Sequence, residues 1–355
     1  MAIFKVVLEE AAATLLTKII SRIFKNLSSI NQHGPLYKIR WLRDNGFMYA
    51  LSLDHINKTY ANGVTAVRDV SLQVKEGDFF ALLGPNGTGK STIINIVSSL
   101  VKKTSGSVKI FNYDLERHFV EAKRLLGVVA QELNFNQFET VLEVVINQAG
   151  FYGISRKLAI ERAEQYLSLL SLWDKRNAIS RSLSGGMKRR LMIAKALMHE
   201  PKLLLLDEPT TGIDVELRLS TWDFLQSLNA SGVTIILTTH YLEEAEHLCH
   251  GLGIMSKGVL LEQTTIKEFI SRLKEETLIL EGNFSKSTLT NEHLSKYHFE
   301  IINDSCIELA FNKNASLNDL FADFTHAGIQ VNSLRNKTNP LEELFLATIK
   351  DNQRR

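Results

Sequence analysis

The sequence predicts an α/β fold with a parallel-sheet core, an antiparallel β patch, a helical subdomain and a small C-terminal α+β appendage. Three observations predict it. "GPNGTGKST" (Gly84–Thr92) is a glycine-rich turn set between a strand-like run, "FFALL", and a helix-like one, "STIINIVSSLV". "KLLLLDEPT" and "TIILTTH" are short and apolar on both faces, as strands buried inside a parallel sheet are. Beyond about Lys267, strand-like and helix-like segments alternate without further motifs, which reads as a separate α+β unit.

Each element follows in order. From Ala50, "LSLDHINKTY" and "VTAVRDVSLQV" alternate apolar and polar residues and read as an antiparallel β patch. "DFFALLG" then enters the glycine-rich turn, and "STIINIVSSLV" is the helix after it. "GSVKIFNYDL" and "LLGVVAQE" are short strands. Residues from about Phe138 to Ala178 interleave charged and apolar positions as helices do. "LRLSTWDFLQSLN" is a helix between the two buried strands "LLLLD" and "TIILTTH". "ETLILEG", "FEIINDSCIELAF" and "SLNDLFADFTHAGI" belong to the appendage.

Composition narrows the classes. With 355 residues, 45% hydrophobic and 23% charged, the chain can build a sizeable core. Its 41 basic and 39 acidic residues leave a formal charge of +2, which lacks the electrostatic footprint of a dedicated nucleic-acid binder. The two cysteines, Cys249 and Cys306, have neither metal-ligand nor disulfide-framework spacing. No run of 18 uncharged apolar residues exists to span a membrane. The first segment carries Leu8, Ala12, Leu15, Ile19, Ile23 and Leu27 at helical spacing, but charges interrupt it too often for a signal peptide. Residues 1–47 therefore read as an extension, amphipathic or disordered. Residues 48–266 form the main domain and 267–355 the appendage.

The chemistry lies in a few positions. Gly84, Gly87 and Gly89 let the backbone turn its N–H groups onto phosphate oxygens, with Pro85, Asn86, Thr88 and Thr92 completing the loop. Lys90 reaches the β- and γ-phosphates, and the Ser91 hydroxyl is a Mg²⁺ ligand. "LLLLDEP" sets Asp207 at the carboxyl end of a buried strand, where it holds Mg²⁺ directly or through water. Glu208 is then free to orient or deprotonate an attacking water. His240, after "TIILTT", is placed to sense the γ-phosphate, and the Gln131 amide to touch Mg²⁺ or the water. Tyr60 is placed to stack on an adenine, although surface and core tyrosines are commoner. "LSGG" ahead of a helix makes a second anion-binding helix start at Ser184, Gly185 and Gly186. The "KRR" that follows, Lys188–Arg190, reads as a solvated or subunit-facing patch.

In order, Tyr60, "GPNGTGKST", Gln131, "LSGGMKRR", "LLLLDEP", "TGID" and His240 resemble the motif set of an ABC ATPase over roughly Leu51–Lys267. "QELNFNQFETV", "TTHYLEEAE" and the tail "NPLEELFLATI" resemble the drug, polysaccharide and small-molecule export group. Met187 stands where the wider family has glutamine, and "TGID" replaces the commoner "SALD" while keeping Asp214.

The resemblance implies the P-loop NTPase fold, ATP and Mg²⁺ as ligands, and ATP hydrolysis. It implies a head-to-tail homodimer in which Ser184, Gly185 and Gly186 of one copy bind the γ-phosphate held by the other. It also implies a separate membrane permease docking near "FETVLEVV", no nucleic-acid partner, and peripheral placement on the cytoplasmic face of the inner (plasma) membrane. DNA-maintenance ATPases of the family carry a long coiled coil between the loop and "LSGG", and none is present here. Translation factors fuse two cassettes, and this chain has one. A non-catalytic subunit would lose Lys90, Glu208 or His240, and all three are present.

Overall fold

The structure is a computed structural model that describes residues 48–273, 275–284, 294, 296–312 and 315–354. The chain divides into two units, and all of these residues belong to the second, Phe47–Arg355. The extension expected over residues 1–47 lies outside the described residues.

The antiparallel patch forms first, from β1 (Tyr49–Thr59) and β2 (Thr65–Lys75). The chain then enters β3 (Phe79–Leu83), passes the glycine-rich loop and continues as α1 (Lys90–Val97). The two strand-like runs that follow join different sheets. β4 (Ser105–Ile110) and β5 (Tyr113–Asp114) extend the patch in the order β2-β1-β4-β5. After the short helix α2 (Phe119–Arg124), β6 (Leu126–Val129) becomes an edge of the main sheet. The runs differ in polarity: β4 (SGSVKI) alternates polar and apolar residues, as suits a sheet with one exposed face, whereas β6 (LGVV) is apolar and mostly buried.

The helical subdomain contains α3 (Val141–Phe151), α4 (Arg156–Leu169) and α5 (Gly185–Leu197). A capping box at α3, in which Thr140 and Glu143 satisfy each other's backbone N–H groups, marks its start. Next come β7 (Leu203–Asp207), α6 (Val215–Ala230), β8 (Thr234–Thr239), α7 (Leu242–Leu248), β9 (Gly251–Ser256), β10 (Val259–Thr265) and α8 (Ile266–Ile270). The main sheet has the order β10-β9-β3-β8-β7-β6, with β10 antiparallel at one edge and the rest parallel.

Two cores form because strands alternate faces. Phe79, Ala81 and Leu83 of β3, with Leu204 and Leu206 of β7, join the core that includes the helical subdomain. Phe80, Leu82, Leu203 and Leu205 join the core shared with the antiparallel patch and α1. A fully buried leucine contributes roughly 1.5–3 kcal/mol relative to exposure. The "LLLLD" run therefore holds both layers to one strand.

Past α8, β11 (Glu275–Gly282), β12 (His298–Asn303), β13 (Cys306–Asn312) and β14 (Val331–Asn336) make an antiparallel sheet in the order β12-β13-β11-β14. Leu320 and Phe324 of α9 (Leu317–His326) pack on it in a third core. The last helix, α10 (Pro340–Arg354), instead buries Leu341, Phe345 and Ile349 in the first core, against α7 and α8. No helix among the described residues is long and apolar enough to cross a membrane.

Candidate active site

The site is built where the chain leaves β3, β6, β7 and β8. The turn after β3 needs glycine for two stated reasons. A Cβ on Gly84 would stand 2.5 Å from the Met255 carbonyl oxygen. Gly89, with φ +103°, would place one 2.5 Å from the Ala66 carbonyl oxygen, in a backbone region that disfavours side chains. Gly89 also occupies the N-cap of α1, whose first turn contains no acidic residue. The helix therefore presents free N–H groups and an uncompensated positive dipole end, which favours an anion.

Lys90 is buried, and its Nζ donates to the carbonyls of Gly84 at 2.6 Å and Pro85 at 3.1 Å. Burial pushes its ammonium pKa down, while Glu208 and Asp207 push it back up. The Thr88 hydroxyl also donates to Pro85, at 2.9 Å, so the loop is braced from within.

Asp207 ends β7 opposite Thr238 in β8. Its Oδ1 accepts from Ser91 Oγ at 3.2 Å and from the Thr238 hydroxyl. Glu208 follows in left-handed backbone, φ +49°, a strained setting for a residue with a side chain. Its N–H donates to the Thr238 carbonyl at 3.0 Å. Gln131 Nε2 donates to Glu208 Oε2 at 3.3 Å, and Thr211 Oγ1 donates to the same oxygen at 3.1 Å. His240 Nδ1 lies 3.2 Å from the other oxygen, Oε1. One carboxylate thus joins the exits of three strands. Asp214, not Asp207 or Glu208, caps the next helix, accepting from the Leu217 N–H at 2.9 Å.

A cavity of about 350 Å³ is lined by Asn86, Gly87, Gly89, Lys90, Ser91 and Thr92 together with Ala66, Gln131 and Glu208. The half-buried Tyr60 has its hydroxyl 3.3 Å from Thr92 Oγ1 and its ring under the Lys58 ammonium, 4.9 Å away. Ser184, Gly185 and Gly186 do not line that cavity. Ser184 and Gly185 are exposed while Gly186 is buried, and Ser184 caps α5 by accepting the Met187 N–H at 3.3 Å.

One reading of the sequence needs correction. Lys188–Arg190 is not a solvated patch as a whole, because Arg189 is 6% exposed. Its Nε donates to the Pro209 carbonyl at 3.1 Å, and its Nη1 to those of Ala130 at 2.6 Å and Gln131 at 3.0 Å. Its Nη2 donates to the carbonyls of Asp207, at 2.7 Å, and Glu208. The helical turn rotates Arg189 toward the sheet, where carbonyls leaving β6 and β7 take up its N–H groups. Burial lowers its pKa, and Asp207, Glu208 and Glu244 oppose that shift. The structure adds Thr211 and Thr238 to the groups that hold Glu208 and Asp207. Thr238 had a signal: it sits near the carboxyl end of the buried run "TIILTT", two residues before His240.

Phosphate capture after one strand and a fixed carboxylate pair after another is the division of labour of a P-loop nucleoside triphosphatase. Known proteins narrow the class. Residues 67–211 match the family model described as "ABC transporter". The chain is 34% identical over 305 residues to the linearmycin resistance ATP-binding protein of Bacillus subtilis (strain 168), covering 83% of this chain and 97% of that protein. It is 31% identical over 303 residues to the daunorubicin/doxorubicin resistance ATP-binding protein of Streptomyces peucetius, covering 84% and 92%. Among solved structures it matches an ATP-binding cassette in a dimeric post-hydrolysis state with ADP and Pi. There the identity is 29% and the TM-score 0.57, over 61% of this chain and 98% of that one. The chain belongs to the ABC transporter family, as an ATP-binding, ATP-hydrolysing subunit of the exporter-type group.

Proposed function

We propose that two copies of this chain pair head to tail around two ATP molecules and drive export through a separate membrane permease. The observation that carries this is the division of anion-binding groups. The loop at Gly84–Thr92 faces a cavity with Gln131 and Glu208, while the N-terminus of α5 is exposed elsewhere. A subunit's own loop surrounds a triphosphate on one side only. Ser184, Gly185 and Gly186 of the other copy would supply donors on the opposite side. ATP then joins the subunits, and hydrolysis separates them.

Within one site, the loop N–H groups and Lys90 bind the phosphates, and Tyr60 supports the base. Ser91, Asp207 and Gln131 would hold Mg²⁺, and the hydroxyl and carboxylate oxygens of Ser91 and Asp207, 3.2 Å apart, suit that hard cation. When bound, Mg²⁺ neutralises charge on the β- and γ-phosphate oxygens. Glu208 orients or deprotonates the attacking water, Gln131 and His240 hold its carboxylate, and His240 also meets the γ-phosphate.

Permease docking belongs at the groove of about 720 Å³ bordered by Phe135, Asn136, Glu139, Asn147 and Phe151. Phe151 is 85% exposed and the nearby Phe138 76%, which suits an apolar helix from a partner. The chain then sits peripherally on the cytoplasmic face of the inner membrane, with residues 48–266 as the motor and 267–355 as an appended unit. The test is Ser184→Arg. Monomeric ATP binding is expected to persist while ATP-dependent dimerisation and hydrolysis are lost. Normal turnover in that variant would end the composite-site reading.

A further inference from the structure

Arg189 makes an unusual set of bonds for a buried cation. All five N–H groups of a guanidinium can donate, and here the three nitrogens reach five backbone carbonyls. No side-chain carboxylate takes any of these bonds. The carbonyls come from two strand exits, Ala130 and Gln131 after β6, and Asp207, Glu208 and Pro209 at the end of β7. The arginine itself stands on α5, whose first residues follow Ser184. One planar group therefore ties α5 to the backbones that carry both Gln131 and Glu208.

The geometry points to Arg189 as a positioning residue for hydrolysis. It makes the helix behind Ser184–Gly186 and the peptides flanking Gln131 and Glu208 move as one body. Docking of Ser184–Gly186 on the partner's γ-phosphate and alignment of Glu208 then become a single event. This rests on the composite-site reading proposed above. It adds that the two ends of the site are mechanically joined inside each subunit.

The physical reason a lysine cannot substitute is shape. An ammonium offers three donors from one point, whereas the fork spreads five over a plane that spans both strand exits. Glu208 sits in left-handed backbone, which persists only when its surroundings over-determine it. Two of the five bonds fall on that residue's own carbonyl and on the one before it.

The experiment compares purified wild type, Arg189→Lys, Arg189→Gln and Glu208→Gln in full-length chains. Steady-state ATPase, binding of a fluorescent ATP analogue and thermal melting are read for each. For Arg189→Lys we expect kcat to fall about tenfold or more, with analogue affinity within threefold of wild type and a cooperative melt retained. This is a loss in kcat without a matching change in KM or binding. Arg189→Gln, which can keep two of the donors, is expected to fall at least as far. In the Glu208→Gln background, Arg189→Lys should raise the ATP concentration needed for dimerisation. Wild-type kcat in a folded Arg189→Lys variant would overturn the proposal. Collapse of the melt in both Arg189 variants would overturn it too, reassigning the residue to structural support alone. Failure of Glu208→Gln alone to dimerise with ATP would sink the composite-site reading instead, so the two failures are distinguishable.

Discussion

At the scale of single residues, the site is governed by how Glu208 is held. Its side chain is nearly buried and is met by Gln131, Thr211 and His240. Such contacts fix a carboxylate's direction, which matters for the water-orienting role proposed for Glu208. Glu208→Gln keeps the shape and removes the proton acceptor. Its kcat is expected to fall about 10²–10⁴-fold, the usual share of general-base catalysis, with ATP affinity retained. A phosphate-release assay alongside equilibrium ATP binding checks this. A second residue sets a pH limit on the fold. His199 stacks on Tyr152 at 3.7 Å and its Nε2 lies 3.0 Å from the Leu126 carbonyl oxygen. Burial lowers its pKa from 6.5 to about 4. The folded state keeps this ring neutral while the unfolded chain protonates it. The penalty is absent above pH 6.5, grows as pH falls, and levels off near pH 4. The loss at its limit is about 3 kcal/mol by linkage. Urea unfolding at pH 7.5 and pH 5 should show the drop, and His199→Gln should flatten it. An equal drop in that variant would assign the dependence elsewhere.

At the scale of elements, α10 carries most of what the appendage contributes to the motor. Its sheet has a core of its own, yet α10 leaves that sheet and buries Leu341, Phe345 and Ile349 under α7 and α8. The Asn339 amide also donates to Glu246 of α7. Because α7 begins two residues after His240, this packing braces the helix that follows His240. Truncating Phe345 removes a large, nearly buried ring from that contact. Phe345→Ala is expected to cost about 3–5 kcal/mol, the range for a buried phenylalanine. Urea denaturation measures it. A change under 1 kcal/mol would show that α10 is only loosely docked. The same scale holds the antiparallel β10, which pairs with β9 and ends where α8 begins, under α10. The capping box at α8, Thr265 with Glu268, stops the strand and starts the helix in adjacent residues.

At the scale of the whole molecule, Ser184 and Gly185 at the start of α5 are exposed and lie off the cavity, which is why we propose that a second copy uses their anion-binding groups. Ser184→Arg and Lys90→Ala disable opposite halves of a composite site. Each variant alone is expected to be inactive as a homodimer. Mixed together, they are expected to form a heterodimer in which one site has an intact loop facing an intact Ser184–Gly186 segment. ATPase should reappear on mixing, at up to about half of the wild-type value per dimer if the sites turn over independently. No activity in the mixture at concentrations that support wild-type dimers would argue against sharing in trans. Much of the fold and of the groups gathered around Glu208 was legible in the chain, because the loop, "LLLLDEP" and His240 are contiguous segments whose chemistry is local. The strands carrying them announced themselves by being apolar on both faces. Three features were not legible. β4 and β6 differ in polarity, yet the sheet each joins is set by partners distant in sequence. α10 belongs to the motor core only because the chain folds back. Arg189 looked like one basic residue among three until its guanidinium met five carbonyls from two other segments. The sequence by itself determined the chemistry, since each motif's residues act on a ligand through their own short stretch of backbone. Only the tertiary structure decided which backbones are bound to one another, because a hydrogen bond between distant segments leaves no periodic trace in either.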